Sequence, residues 1–114
     1  MARAAGVEPV VIDAARRQRL VSLADREGRV RIVAPHLVFR AKDGGRRLHL
    51  WQVGGHSSGH VPTGWKTVNP DDFAAAEILD AEFTAQEDYN PEAFDHVVFA
   101  IPTRDGRQRE PDAE

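Results

Sequence analysis

Apolar and polar positions alternate along this chain in short bursts separated by Gly, Pro, Asn and Asp, and a helical period is visible only near the start. Asp13 is placed to cap a helix over residues 14–27, with Leu20, Leu23 and Ala24 at helical spacing and Gly28 as its stop. Arg29 to Val33 then alternates, predicting a strand that buries Val30 and Ile32 and is ended by Pro35, which cannot donate to a ladder. His36 to Ala41 reads as a second strand, with Leu37, Phe39 and Ala41 on one side and His36, Val38 and Arg40 on the other. Asp43-Gly44-Gly45 supplies a tight turn into a third strand, Arg46 to Val53. That strand sets Leu48 and Leu50 against His49, Trp51 and Val53 on its opposite face.

A glycine-rich loop comes next, and Gly64 to Val68 has the aromatic and β-branched content of a fourth strand. Asn69 and Pro70 form a cap and a first helical position. Residues 73–83 fit both the helical and the strand period, and the expectation is a short helical turn followed by a strand. Asn90-Pro91 opens a turn, and His96 to Ile101 makes a last strand stopped by Pro102. The sum is a mainly β (α+β) fold. Short antiparallel strands hide their edges by curling, so the expected architecture is a small SH3-like or Sm-like antiparallel β-barrel with an N-terminal helix. Residues 1–12 are expected as a flexible N-terminus, 13–102 as the single domain, and 103–114 as a polar, frayed tail.

Composition narrows the function classes. A chain of 114 residues suits one domain. It is 41% hydrophobic and 29% charged, which argues against disorder. No apolar run approaches the roughly 18 residues of a membrane-spanning helix, and Val10-Val11-Ile12 is too short for a secretory core, so a cytoplasmic location and no membrane partner are expected. With no cysteine, disulfides, thiolate metal sites and cysteine nucleophiles are excluded. The net charge of −3 hides an asymmetry: residues 1–66 hold twelve Lys/Arg against five Asp/Glu, and residues 67–114 hold three against thirteen. Such halves either build a basic face for an anion or pair with each other across the fold, and pairing is the favoured reading.

The stretch from Leu48 to His60 combines a strand with Gly55-His56-Ser57-Ser58-Gly59, which matches the nucleophile elbow of hydrolases. The helix that chemistry needs is interrupted by Gly59, Pro62 and Gly64, so the stretch reads as a connection between strands. His56 and His60 have the spacing of two metal ligands on a helix, but the same glycines deny them the helix. Trp51 and Trp65 are either stacking surfaces or core. Arg29, Arg31, Arg40, Arg46, Arg47 and Lys66 either bind phosphate or form a solvated face opposite Asp71, Asp72, Glu77, Asp80 and Glu82.

Three stretches resemble the WYL domain, a small Sm-like or SH3-like barrel found mainly in bacterial regulators. Arg31 to Leu37 is similar to the family's string at the start of the barrel. Leu48-His49-Leu50 falls where the family has its Trp-Tyr-Leu triplet, with the leucine in common. Gly64 to Phe73, with the strand to Phe83, looks like its closing block. The resemblance covers about residues 18–85 and implies sensing of nucleotides or nucleic acid through the barrel, without the helix-turn-helix that commonly precedes it.

The expectation is therefore a non-enzymatic, regulatory ligand-binding module for a small anionic ligand, either a nucleotide or an oligonucleotide, or for a protein partner. Its candidate ligand-binding residues are Arg31, His36, His49, Trp51, His56, Trp65 and Lys66. No catalytic residue, metal or cofactor is assigned. The alternatives are a small hydrolase or metal protein built on His56-Ser57-Ser58-His60, and a structural adaptor that self-associates, for instance as a homodimer.

Overall fold

The computed structural model describes residues 6–56 and 63–112. Helix α1 is Glu8–Arg17, earlier than expected, because its buried stripe is Val7, Val11, Ala14 and Ala15 at one-turn spacing. Glu8 in the first turn and Arg16 and Arg17 in the last complement the helix dipole, and Gln18 ends the helix in the left-handed region at φ 52°. Asp13 is inside the helix and salt-bridged to Arg17 rather than capping it. The residues beyond it, expected to continue as helix, form strand β1, Arg19–Asp25, whose alternation buries Val21 and Leu23. Gly28 belongs to the next turn, at φ +83° with its N–H on the Asp25 carbonyl.

Strand β2, Val30–Arg40, runs through Pro35 as one element. Its registers with β3, Arg46–Gly55, explain why the strict alternation fails. Pro35 faces Leu50 and Leu37 faces His49, so His36 is an extra residue on β2, a bulge that sits beside the proline. Both His36 and Leu37 consequently lie in the same aromatic-rich cluster, correcting the expectation that they point to opposite faces. A second irregularity, between Ile32 facing Gly54 and Val33 facing Gln52, makes Val53 the extra residue on β3 and leaves it 41% exposed. Val30, expected in the core, is also largely exposed, while Val33 is buried.

Strand β4, Gly64–Val68, pairs with β3; a 3-10 turn at Pro70–Asp72, capped by the Asn69 side chain on the Asp71 N–H, leads into β5, Phe73–Glu82. No helical turn occupies residues 73–83: β5 pairs antiparallel with β1 from its first residue. The order is β4-β3-β2-β1-β5, and β6, Val97–Ala100, pairs with the second half of β2 while β1 takes the first. Among the described residues all pairings are antiparallel and the sheet is open, with β4 and β5 as its outer strands, so these strands do not close into a barrel.

The core has two parts. Under α1, Val7, Val11 and Ala14 pack on Val21, Leu23, Val33, Val38, Leu48, Leu50 and Phe73. A second cluster joins Leu37, Ala85, Tyr89, Val97 and Ile101, with Phe39, Trp65, Phe83 and Phe94 around it. Residues 103–112, expected as a tail, are tied down. Arg109, whose side chain is 15% exposed, donates to the Phe94 and Pro91 carbonyls and binds Asp112. The Asp112 backbone N–H and carboxylate in turn bond the Val97 backbone. Among the described residues no helix is long and apolar enough to cross a membrane.

Candidate functional site

The predicted site residues divide into two places. Arg31 lines a groove of about 550 Å3 between the β1–β2 turn, the end of β4 and the start of β5, with Asp25, Arg26, Glu27, Arg29, Thr67, Val68, Asn69, Asp72 and Phe73 around it. Its guanidinium donates to Oε1 of Gln52 at 3.0 Å and lies 5.9 Å from the Phe73 ring centroid, a cation–π distance. Gln52 is completely buried in line with Leu48 and Leu50, where an amide persists only if satisfied. Its NH2 group donates to the Gly54 and His56 carbonyls at 3.1 and 2.6 Å. The same amide thus fixes Arg31 and the end of β3.

Gly55 is required there. Its φ is +90° and a Cβ would meet the Val30 carbonyl oxygen at 2.4 Å. His56, immediately beyond, is fixed through its backbone, its N–H on Val30 at 2.7 Å.

Charge in this groove is partly spent. Arg29 is paired with Asp25 and Glu27. Arg26 donates to the Asp71 carbonyl at 2.8 Å, and Arg31 has the neutral Gln52. The other hairpin arginines are engaged near the sheet's far end, Arg46 with Glu8 and Arg47 with Asp43. The two halves of the chain meet at the ion pair Arg19–Asp80, while most arginines find partners within their own half, against the expectation that the halves pair with each other.

The second place is aromatic. His49 stacks on Trp65 at 4.5 Å and 8°, and Trp51 stands at 89° to Trp65 at 5.4 Å. His36, Phe83, Tyr89 and Phe94 close the cluster. His36 is wholly buried, with Gln86 N–H donating to Nε2 at 3.1 Å. Nε2 therefore carries no proton, and Nδ1–H donates to the Ala34 carbonyl at 2.8 Å. Burial, reinforced by the nearby His49, pushes the His36 pKa down to about 4; the Ala34 carbonyl and Asp88 act the other way. Burial also lowers His49 to about 4. Burial raises the Tyr89 hydroxyl, whose oxygen lies 2.9 Å from the Ile101 carbonyl.

Of the sequence-predicted residues, His36, His49, Trp51 and Trp65 come together, whereas Arg31 belongs to the other groove. Lys66 alternates with Trp65 along β4 and stands opposite Leu50. Ser57, Ser58 and His60 lie outside the described residues, and the next described element is strand β4. Among the described residues no group of three or more His, Asp or Glu could hold a metal ion.

Sequence reasoning missed Gln52, Phe73, Gln86 and Asp88. A polar residue breaking the Leu48, Leu50 row was the available signal for Gln52; Asp88 depends on a chain path that no local pattern encodes. No protein-family model matches this chain, and neither does any curated protein or solved structure.

Proposed function

We propose that this chain is a non-enzymatic ligand-binding module whose groove at Arg31 takes a small anionic ligand, a nucleotide or short single-stranded oligonucleotide. One observation carries this reading. Arg31 is held in place by a buried neutral amide and an aromatic ring, so its orientation is fixed while its charge stays unpaired by any carboxylate among the described residues. A guanidinium of this kind offers its remaining N–H groups to a phosphate without first breaking an ion pair. A groove of about 550 Å3 is of mononucleotide size.

Residues 69–72 alone join the two outer strands of the sheet, which supports an open, incompletely closed form of the SH3-like or Sm-like architecture, of the WYL kind, with this groove at the gap. A regulatory role in the cytoplasm goes with that likeness. His36, closed in on every side, is not part of the ligand site in this reading, and His49 and Trp65 serve to pack.

The test is a thermal-shift screen of nucleotides and short single-stranded oligonucleotides at low and high salt. A ligand at 100 times its Kd stabilises by about 2.7 kcal/mol, so a hit is readily seen. The expected hit weakens with salt and disappears in Arg31→Ala. A flat screen, or a hit that Arg31→Ala leaves intact, counts against the reading.

A further inference from the structure

The Trp51 side of the molecule carries a groove with an excess of carboxylate, whereas arginines and carboxylates balance in the lining of the Arg31 groove. Trp51, Gln86, Glu87, Asp88 and Arg104 line a separate groove of about 520 Å3, with two carboxylates against one guanidinium. That guanidinium is already committed: Arg104 donates to the Ala85 carbonyl at 2.9 Å and is salt-bridged to Glu87 at 3.3 Å. Asp88 is held differently. Its Oδ1 accepts the Trp65 indole N–H at 3.2 Å, a neutral partner, and Trp65 is itself immobilised between His49 and Trp51. The backbone two residues earlier is anchored by the Gln86 N–H on buried His36. The groove thus presents a partly exposed indole beside an exposed carboxylate that accepts the Trp65 indole N–H, follows an anchored backbone at Gln86, and has no cation on it among the described residues.

We propose that this groove is a binding site for an arginine side chain of a basic peptide segment on a partner protein. A guanidinium laid on the Trp51 indole gains cation–π attraction, and its planar fork matches the Asp88 carboxylate. An anionic ligand placed here would meet Asp88 and Glu87, so the site is distinct from the Arg31 groove and does not rest on the reading given for it. The preorganised carboxylate is what separates this groove from a merely acidic surface, since little ordering remains for the protein to do on binding.

The experiment follows the Trp51 indole N–H resonance of 15N-labelled full chain while blocked tetra-arginine, and separately blocked tetra-glutamate, is added at low salt. The Trp51 signal is expected to move saturably with tetra-arginine and to stay still with tetra-glutamate. Asp88→Asn keeps an acceptor for the Trp65 indole and is expected to weaken tetra-arginine binding about tenfold. Arg31→Ala is expected to leave it unchanged. Trp51→Phe, followed through the Trp65 indole, serves as a second variant and is expected to weaken binding while the remaining spectrum is preserved. An unmoved Trp51 signal, or an affinity that neither Asp88→Asn nor Trp51→Phe alters, overturns the proposal, the latter by showing attraction to the acidic surface as a whole.

Discussion

His36 receives the Gln86 backbone N–H on Nε2 at 3.1 Å, from a residue fifty positions further along the chain. This bond exists only while the imidazole is neutral, because a protonated Nε2 has nothing left to accept with. The residues from 83 to 89, which carry Phe83, Asp88 and Tyr89, are thus attached to β2 through a group that acid can switch off.

Stability is accordingly expected to fall with acid. The His36 pKa in the folded chain is about 4, against about 6.5 when unfolded. Between these values the unfolded chain binds more protons, so stability is complete above about pH 6.5 and is lost as pH drops toward 4. The loss attributable to His36 is about 2–3 kcal/mol over that window. Urea unfolding at pH 7.5, 5.5 and 4.5 measures it, with His36→Gln expected to flatten the profile in part because His49 still titrates. A profile that is level in wild type would show that His36 is free to ionise in place.

Gly55 and Gly54 are neighbours with different obligations. Gly55→Ala forces a Cβ against the Val30 carbonyl at a φ of +90° and is expected to cost about 2–3 kcal/mol, whereas Gly54→Ala, with open space at its Cβ, is expected to cost under about 1 kcal/mol. Chemical denaturation of the two variants side by side decides this; equal losses would mean that β3 does not pass Val30 this closely.

Gln52→Leu keeps the volume of the buried site and deletes its polar bonds. It leaves the Gly54 and His56 carbonyls without their donor and is expected to destabilise by about 1–3 kcal/mol. It also frees Arg31 to move, so the affinity of any ligand of that groove should fall even where the variant remains folded. An unchanged affinity would separate Gln52 from the site.

The end of the described chain is part of the fold. Ending the chain at Pro102 removes Arg109 and Asp112 together with their bonds to the Phe94, Pro91 and Val97 backbone, and is expected to cost more than about 2 kcal/mol. Thermal unfolding of the shortened and full chains tests it, and matching midpoints would restore the picture of a loose tail.

Much of this architecture was written in local pattern. The β2–β3 hairpin, with its Asp43–Gly45 turn, the inward Leu48 and Leu50, the strand Gly64–Val68 and the Asn69 cap all arise from period-two alternation and turn chemistry, and each is where the pattern places it. The errors have physical causes. Leu20 and Leu23 satisfy a helical period while Val21 and Leu23 satisfy a strand's, and only the sheet's need for β1 between β2 and β5 chooses between them. Bulges at His36 and Val53 shift the parity of the residues beyond them, so side chains read as opposite become neighbours. The candidate site was legible in its residue types but not in their grouping. Arg31 and Trp51 come from adjacent strands, yet they serve different grooves because Gln52 draws the arginine to one end and Trp65 holds the indole at the other.

The central claim is that Arg31 marks an anion-binding groove, and amide chemical shifts test it most directly. On titration of 15N-labelled chain with mononucleotides and a short single-stranded oligonucleotide at low salt, saturable shifts are predicted at Arg31, Thr67, Asn69 and Phe73, absent in Arg31→Ala. No shifts at millimolar ligand, or shifts centred on Trp51 and Asp88 instead, would contradict it.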